Sequence, residues 1–342
     1  MLKKVRVEEA VGLRLAHDMT QIVPGQFKGP AFRRGQILRE EEIPQLLAMG
    51  KEYIYILELE QGELHEEEAA LRIARAAAGE GVGLSAPREG RINLQAEVGG
   101  LLRVKRALLE EINTLGELIL ATLHDRTVCA PGQVVAATRI IPLVIAEPRI
   151  AEVEALCQQS GPVVTLVRLA TLPVGLVITG GEIFHGRIQD RSAEIVRRKV
   201  EALGSRVAGE RVAPDDADRI AQAIQELQAE GCRLIVTTGG MSVDPDDVTA
   251  EGIARSGARI ICYGAPVLPG SMLLYALWGD IPILGVPACV IHDPTTTFDL
   301  VLPRILAGEI LSRQDFARMG HGGLCLHCRP HCTFPVCPFG KS

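Results

Sequence analysis

Two segments of the chain combine glycine pairs with carboxylates and hydroxyls. The first spans residues 179–182 (Thr-Gly-Gly-Glu), and the second spans residues 238–249, which begin Thr-Gly-Gly and end at Thr249. Glycine allows the backbone to turn sharply and to approach a ligand closely. The second segment leads into a predicted helix, whose free N–H groups and dipole favour an anion, and Ser242 and Thr249 add hydroxyl donors. The pattern predicts a site for a phosphate or a sulfate-like group.

Carboxylates follow both glycine pairs and would crowd the same rim. They are Glu182, Asp190, Asp244, Asp246 and Asp247. Carboxylates beside a bound anion usually hold a bridging cation, and hard oxygen ligands suit Mg²⁺. The alternative is that Asp246 and Asp247 only cap a helix. Because two strand ends carry the same combination, we favour phosphate with Mg²⁺.

A second concentration of chemistry lies near the end of the sequence. Four cysteines follow one another in the spacing Cys-x2-Cys-x3-Cys-x4-Cys, namely Cys325, Cys328, Cys332 and Cys337. Four thiolates can hold Zn²⁺ tetrahedrally or an iron–sulfur cluster, and the Cys-Pro pair at 337–338 resembles the end of ferredoxin motifs. The spacing matches neither standard pattern, so both metals stay open, as does a tail with incidental cysteines.

Alternating strands and helices must position the glycine turns. Strands are predicted at 174–178, 205–212, 233–237, 258–262 and 281–285, and helices at 192–203, at 214–230, from Asp247 and from Asp293. This alternation is typical of an α/β fold in which a parallel sheet carries helices on both faces. Ligands of such sheets bind beyond the carboxyl ends of the strands, where both glycine turns would meet.

The remaining sequence divides into a leading block and the cysteine tail. Residues 1–172 are predicted to form an α+β region of one or two subdomains, with a strand at 51–57, helices at 66–78 and 101–123, and strand material at 134–145 broken by a proline. We therefore expect three parts: an N-terminal region at 1–172, a binding domain at 173–310 and a metal-binding tail at 311–342.

Composition narrows the range of partners. The 342 residues are 47% hydrophobic and 4% aromatic, with a formal net charge of -6. An acidic chain with few aromatic residues is poorly suited to nucleic acid, and the densest basic run, at 197–199, is interpreted as a solvated helix face. No apolar run is long enough for a membrane span or a signal peptide, so we expect a cytoplasmic protein whose cysteines are thiols or metal ligands.

Residues 173–310 resemble the molybdopterin-binding domain shared by molybdopterin adenylyltransferases, molybdopterin molybdenumtransferases and gephyrin. Residues 179–182 match the Thr-Gly-X-Glu turn, and residues 186–190 match Gly-X-Ile-X-Asp. Residues 239–247 resemble the Gly-Gly-Val-Ser-Val-Gly…Asp loop, with Met241 for Val and Asp244 for Gly. The Pro-Gly turn at 269–270 and the loop at 285–287 are similar to two further family segments.

The resemblance implies that the cleft binds molybdopterin phosphate, its adenylylated form or molybdenum cofactor. It places Asp247 and Glu182 at a catalytic Mg²⁺ site. It implies cofactor contacts from Thr179, Gly180, Gly181, Asp190, Gly239, Gly240, Met241, Ser242, Asp246, Thr249, Pro269, Gly270 and Pro287. It also implies a homo-oligomer and Mg²⁺-dependent molybdenum insertion. Two alternatives stay open: a non-catalytic carrier or sensor that serves a molybdoenzyme or a cofactor-biosynthesis protein, and a nucleotide pyrophosphatase.

The sequence departs from the molybdenumtransferase pattern at several positions. The family's Lys-Pro-Gly-Lys-Pro is here Leu268-Pro269-Gly270-Ser271-Met272, and its Pro-Gly-Asn-Pro is here residues 287–290, Pro-Ala-Cys-Val. The missing lysines would help to neutralise molybdate or phosphate, which leucine cannot do. Pterin binding is therefore expected more firmly than molybdenum insertion.

Overall fold

The chain divides into two compact units. The computed structural model describes residues 2–23, 27–57, 59–241, 244 and 247–341. One unit comprises residues 1–98, 102–125 and 129–166, and the other comprises residues 99–101, 126–128 and 167–342. The division predicted from sequence, with borders near 172 and 310, remains a proposal.

The first unit begins with a small β-rich region. Strand β1 (Leu2–Arg6) pairs antiparallel with β4 (Tyr53–Leu57), and β2 (Met19–Val23) pairs with β3 (Phe27–Phe32). Helix α1 (Ile43–Ala48) lies between β3 and β4 in the sequence. Apolar side chains from these segments form one buried cluster. The strand predicted at 51–57 is confirmed as β4.

The rest of the first unit packs two helices on a four-stranded antiparallel sheet. The sheet has the order β6 (Val82–Leu84), β7 (Ile92–Ala96), β11 (Val134–Ile140), β9 (Leu118–Thr122), and β5 (Glu63–His65) pairs with β12 (Val144–Ala146). Helices α2 (Glu66–Ala77) and α4 (Glu147–Ser160) bury their apolar faces in the same cluster as the sheet. The predicted helix at 66–78 and the interrupted strand material at 134–145 are confirmed.

The predicted helix at 101–123 is wrong. The segment forms β8 (Gly100–Val104), α3 (Arg106–Thr114) and β9, with a turn at Gly116 and Glu117, both of which have positive φ. Leu118 and Leu120 of β9 are buried, whereas Ile119 between them is 42% exposed. This period of two is that of a strand, and the long apolar pattern concealed it. A three-stranded sheet has the order β10 (Val128–Cys129), β8, β13 (Val164–Val167).

The second unit is built on a six-stranded sheet. Its order is β15 (Arg206–Ala213), β14 (Pro173–Thr179), β16 (Leu234–Thr238), β19 (Ile281–Val286), β18 (Leu274–Trp278), β17 (Arg259–Tyr263). Strands β15, β14, β16 and β19 run parallel to one another, and β18 pairs antiparallel with both of its neighbours. The sequence did not predict β18, which joins β19 through a tight turn at Gly279.

Helices cover both faces of this sheet. Helices α6 (Ser192–Ala202) and α9 (Thr297–Leu306) pack with Val174, Leu176 and Val236 in one cluster. Helices α7 (Ala217–Ala229) and α8 (Thr249–Arg255) pack with Val177 and Ile235 in the other. Neighbouring residues of β14 and β16 thus face opposite helical layers, which explains why almost every residue of both strands is buried. The predicted α/β class is confirmed.

Two short helices complete the second unit. Helix α5 (Gly181–Phe184) follows β14, and α10 (Arg313–Arg318) precedes the cysteine tail. None of the helices in the described ranges has both the length and the apolar character that a membrane span requires.

Candidate functional site

Three loops meet at the carboxyl edge of the sheet. Ile178 of β14 pairs with Thr238 of β16, and Thr238 pairs with Val286 of β19. The first residues after the three strands therefore lie at one edge of the sheet. These residues are Gly180, Gly239 and Pro287. Adjacent parallel strands bring together the two predicted glycine turns and the predicted Pro287 loop.

Buried threonines tie the first two loops to each other. The Thr179 Oγ1 hydroxyl donates to the Thr238 carbonyl at 3.0 Å and lies 3.0 Å from the Thr249 hydroxyl, which opens α8. Thr179 is 1% exposed and Thr249 is fully buried. The Thr238 hydroxyl is also buried and finds no hydrogen-bond partner among the described residues. Thr179 and Thr249 therefore brace the loops, and their hydroxyls are directed to each other.

The close approach of these loops requires glycine at 239 and 240. Both glycines have positive φ, +88° and +56°. A methyl group on Gly239 would stand 2.3 Å from the Thr179 carbonyl oxygen, and one on Gly240 would stand 2.4 Å from the Thr249 hydroxyl. No side chain fits there without displacing the neighbouring strand end.

The Glu182 loop has an exposed carboxylate and a firmly held backbone. The Gly181 N–H donates to Asp215 Oδ2 at 2.6 Å, and the Arg187 N–H donates to the Glu182 carbonyl at 2.8 Å. The Glu182 side chain is exposed and has no hydrogen bond or ion pair within the described part of the chain. Sequence reasoning missed Asp215, although its place at the end of β15, beside β14, is a usable signal.

The Asp190 carboxylate is occupied at the start of α6. Its Oδ1 accepts from the Ser192 hydroxyl at 2.6 Å, and its Oδ2 accepts from the Ala193 N–H at 2.7 Å. This geometry satisfies donors at a helix N-terminus that otherwise have no partner in the helix. The structure thus gives Asp190 a capping role, and its predicted cofactor contact remains a prediction.

The Asp247 loop is described only in part, and Ser242 and Asp246 lie outside the described residues. The Asp247 N–H donates to the Asp244 carbonyl at 2.9 Å, and α8 begins two residues after Asp247. Burial raises the pKa of Tyr263, and the negative charge of Asp247 adds to this effect. Asp247 and Tyr263 therefore lie close enough to interact, a proximity that the sequence did not reveal.

Met241 turns its side chain into the core. It is 4% exposed and packs in the cluster beneath α7 and α8, where its sulfur lies against Gly285. Its predicted cofactor contact remains a prediction.

The predicted Pro269-Gly270 turn is fixed to the start of α9. The Thr297 hydroxyl donates to the Gly270 carbonyl at 2.8 Å, and the Thr297 N–H donates to the Pro269 carbonyl at 3.2 Å. Leu268, which replaces a family lysine, is 55% exposed. An exposed apolar side chain at this position offers no charge to an anion.

A cleft of about 400 Å³ lies between α6 and the loop that follows Pro287. Its charged and polar walls come from Arg198, Lys199, His292 and Asp293. The Lys199 ammonium is tied to Asp299 and to the Pro294 carbonyl. Sequence reasoning interpreted 197–199 as a solvated face and therefore missed that two of these cations border a cleft.

The four predicted metal ligands of the tail line one small cavity. Cys325, Cys328, Cys332 and Cys337 line a cavity of about 10 Å³ together with Thr295 and apolar side chains that include Phe334 and Phe339. Among the described residues, no group of three or more His, Cys, Asp and Glu side chains is arranged to hold a metal ion. The cysteines therefore share a cavity without converging on a common point.

Hydrogen bonds position two of the tail sulfurs. The Thr333 hydroxyl lies 3.3 Å from Cys328 Sγ, and this contact lowers the pKa of the Cys328 thiol. The Cys332 sulfur lies 3.4 Å from the Thr295 hydroxyl. By contrast, burial raises the pKa of the half-buried Cys289, which follows Pro287.

Comparison with known proteins points to one family for the second unit. The family model described as "Probable molybdopterin binding domain" matches residues 175–307, and a model for a domain of unknown function (DUF8806) matches residues 4–58. A molybdopterin molybdenumtransferase of Synechococcus elongatus is 27% identical over 146 residues, which are 40% of this chain and 36% of that protein. A CinA-like protein of Citrifermentans bemidjiense is 39% identical over 83 residues, 24% of this chain and 20% of that protein. The chain thus spans about a third or less of the length of these curated relatives.

Solved structures give similar partial matches. The molybdopterin biosynthesis enzyme MoaB of Thermus thermophilus is 22% identical, covers 41% of this chain and 98% of its own, and has a TM-score of 0.35. The molybdopterin biosynthesis protein MoeA of Pyrococcus horikosii is 14% identical, covers 90% of this chain and 75% of its own, and has a TM-score of 0.33. By the family model and the curated relative, residues 175–307 are similar to the molybdopterin-binding family.

Proposed function

We propose that the carboxyl edge of the six-stranded sheet binds molybdopterin or molybdenum cofactor. The observation that carries the proposal is the pair of glycine turns at neighbouring parallel strand ends, braced by the Thr179–Thr249 hydroxyl contact. This braced edge lies within the residues that match the molybdopterin-binding family. The Gly181 N–H of the first turn already donates to Asp215, so the phosphate would approach the second turn, where Gly239 and Gly240 carry no side chain and α8 begins just beyond.

Glu182 and Asp247 are the proposed Mg²⁺ ligands. Glu182 is exposed and without a protein partner in the described ranges, whereas Asp190 already caps α6. Mg²⁺ commonly binds one or two carboxylates and completes its shell with substrate phosphate and water. The ion would neutralise the phosphate while the glycine turns orient it.

The site favours carrying the cofactor over inserting molybdenum. Leu268 and Ser271 stand where molybdenumtransferases have lysines, so the Pro269-Gly270 turn brings no positive charge to molybdate. We propose delivery of the cofactor to a molybdoenzyme or a biosynthetic protein, in the cytoplasm and by a homo-oligomer. Molybdenum insertion is the catalytic alternative, and hydrolysis of free nucleotides is a second alternative.

The tail is proposed as a separate metal centre. Its support is that Cys325, Cys328, Cys332 and Cys337 all line one cavity, with no histidine in its lining. An all-thiolate set suits Zn²⁺ and iron–sulfur clusters alike.

Equilibrium binding of molybdopterin to the full chain tests the proposal. With Mg²⁺ present we expect saturable binding. Glu182→Gln should reduce the increase in pterin affinity that Mg²⁺ causes by at least fivefold. Glu194→Gln is the matched control, because Glu194 is an exposed acid on α6 whose only ion-pair partner within the described ranges is Arg198, at 4.0 Å. Absence of pterin binding would overturn the proposal. Turnover of adenylylated molybdopterin with molybdate would favour insertion, and hydrolysis of free nucleotides without pterin would favour the pyrophosphatase.

A further inference from the structure

The cysteine tail is built directly onto the loops of the proposed pterin site. The Leu268 N–H donates to the Gly323 carbonyl at 2.8 Å, and the Cys325 N–H donates back to the Leu268 carbonyl at 2.8 Å. These two bonds form a short parallel bridge between Leu268 and Leu324. One metal-ligand candidate, Cys325, is thus bonded to the residue that immediately precedes the Pro269-Gly270 turn.

A second set of contacts reaches the loop that follows Pro287. Cys332 Sγ lies 3.4 Å from the Thr295 hydroxyl, and His327 Nδ1 lies 3.7 Å from Asp293 Oδ1. Thr295 lies two residues before Thr297, whose hydroxyl donates to the Gly270 carbonyl. These contacts connect the 268–270 turn to the tail and the tail to the 293–297 segment. The 293–297 segment in turn contacts the 268–270 turn.

The end of the tail is anchored in the core. Phe339 is 2% exposed and belongs to the apolar cluster beneath α9. The neighbouring Gly340 lies directly against Leu300 of α9. The Leu268 bridge and Phe339 hold the two ends of the cysteine segment, so a movement of the segment acts on the residues to which it is bonded.

Metal binding must draw the thiolates together. Zn–S bonds of about 2.3 Å hold the four sulfurs of a tetrahedral site within about 4 Å of one another. In the described structure the four sulfurs line a cavity, but no three of them are arranged around a single ion. An inward movement of Cys325 and Cys332 would be transmitted to Leu268 and Thr295 through the bonds described above.

We propose that the tail cysteines bind a thiophilic metal centre, and that its occupancy sets the conformation of the 265–271 and 287–296 loops and thereby the affinity for the pterin. The regulatory part rests on the proposed function of the cleft. Thermodynamic linkage requires that bound metal raises the affinity for pterin by the same factor by which bound pterin raises the affinity for metal. We expect pterin to bind at least fivefold more tightly to the metal-loaded protein.

Hydrogen–deuterium exchange on the full chain tests the coupling without pterin. The probes are Zn²⁺ alone in one arm, and Fe²⁺ with sulfide under anaerobic conditions in the other. We expect one metal centre per chain in at least one arm, with slower exchange in the tail and in both loops. Slowing confined to the tail, or no bound metal in either arm, would overturn the proposal.

Variants separate the coupling from simple folding. Cys325→Ser with Cys332→Ser should abolish metal binding and the slowed exchange of the loops. Cys157→Ala, which alters a buried cysteine of the first unit, should change neither. If molybdopterin binds equally well with and without metal, the coupling fails while the proposed function stands. If molybdopterin never binds, the proposed function fails, and the exchange experiment still decides whether metal orders the loops.

Discussion

Replacing Gly239 with alanine tests whether the two strand ends need the contact seen in the structure. The new methyl group would lie 2.3 Å from the Thr179 carbonyl oxygen, and the residue would keep a φ of +88°. The left-handed backbone costs about 1–2 kcal/mol for a residue with a side chain. Relief of the overlap requires movement of the β14 end and costs about another 1–3 kcal/mol.

Gly231→Ala is the matched control at the other end of the same strand. Gly231 precedes β16 with a φ of +92°, but a methyl group there meets nothing within 4 Å. It should incur the backbone cost alone, about 1–2 kcal/mol. The difference between the two variants therefore isolates the close approach at the site.

The assay is thermal or urea unfolding of the full chain, followed by tryptophan fluorescence. Trp278 is the chain's one tryptophan and lies in β18, so it reports on the second unit. Gly239→Ala should lower the stability by about 1–3 kcal/mol more than Gly231→Ala. This difference corresponds to about 2–4 °C in the midpoint for each kcal/mol in a unit of this size. Equal losses in the two variants would refute the inferred contact between Gly239 and Thr179.

Three further substitutions test other parts of the account. Thr249→Val removes the hydroxyl that lies 3.0 Å from Thr179 Oγ1. It should destabilise the second unit by about 1 kcal/mol and weaken pterin binding. Unchanged stability and affinity would contradict the bracing role. Asp190→Ala should cost about 1–2 kcal/mol in unfolding because α6 loses its cap, and pterin binding should keep its Mg²⁺ dependence; loss of that dependence would place the carboxylate at the metal instead. Burial alone would raise the pKa of Asp315, but hydrogen bonds from Ser312 and Arg304 outweigh it and hold the pKa at about 2, below the usual 3.8. A carboxylate with a lowered pKa stabilises the fold above about pH 4, and this stabilisation is lost as the pH falls through about 2. Urea unfolding of Asp315→Asn should therefore show a loss of about 2 kcal/mol at pH 7 and a stability close to that of the wild type near pH 2. A difference between the two proteins that is constant with pH would contradict this.

Most strands of the sheet in the second unit could be predicted from the sequence because they are short, apolar and separated by helices. The strand predicted at 233–237 corresponds to β16, which is buried throughout and lies in the middle of the sheet. Its carboxyl end placed Gly239 beside Gly180, since parallel neighbours end at one edge. Strand β18 escaped prediction because it runs antiparallel and belongs to a hairpin rather than to a crossover unit.

The individual roles of side chains were harder to derive. Spacing placed Met241 and Asp190 near the site, but it could not show that Met241 fills the core beside Gly285 or that Asp190 caps α6. Both outcomes depend on where a side chain points, which is settled by packing and by local donors. The contact of Cys325 with Leu268 was equally hidden, because it joins residues 57 positions apart.

The most direct test of the central claim is the pterin content of the full chain, purified anaerobically after exposure to molybdopterin and measured by fluorescence of the oxidised pterin. We expect about one pterin per chain in the wild type and in Gly231→Ala, and a clear loss in Gly239→Ala. Wild-type protein that retains no pterin, or a Gly239→Ala variant that retains as much as the wild type, would contradict the assignment of the cofactor to the carboxyl edge of the sheet.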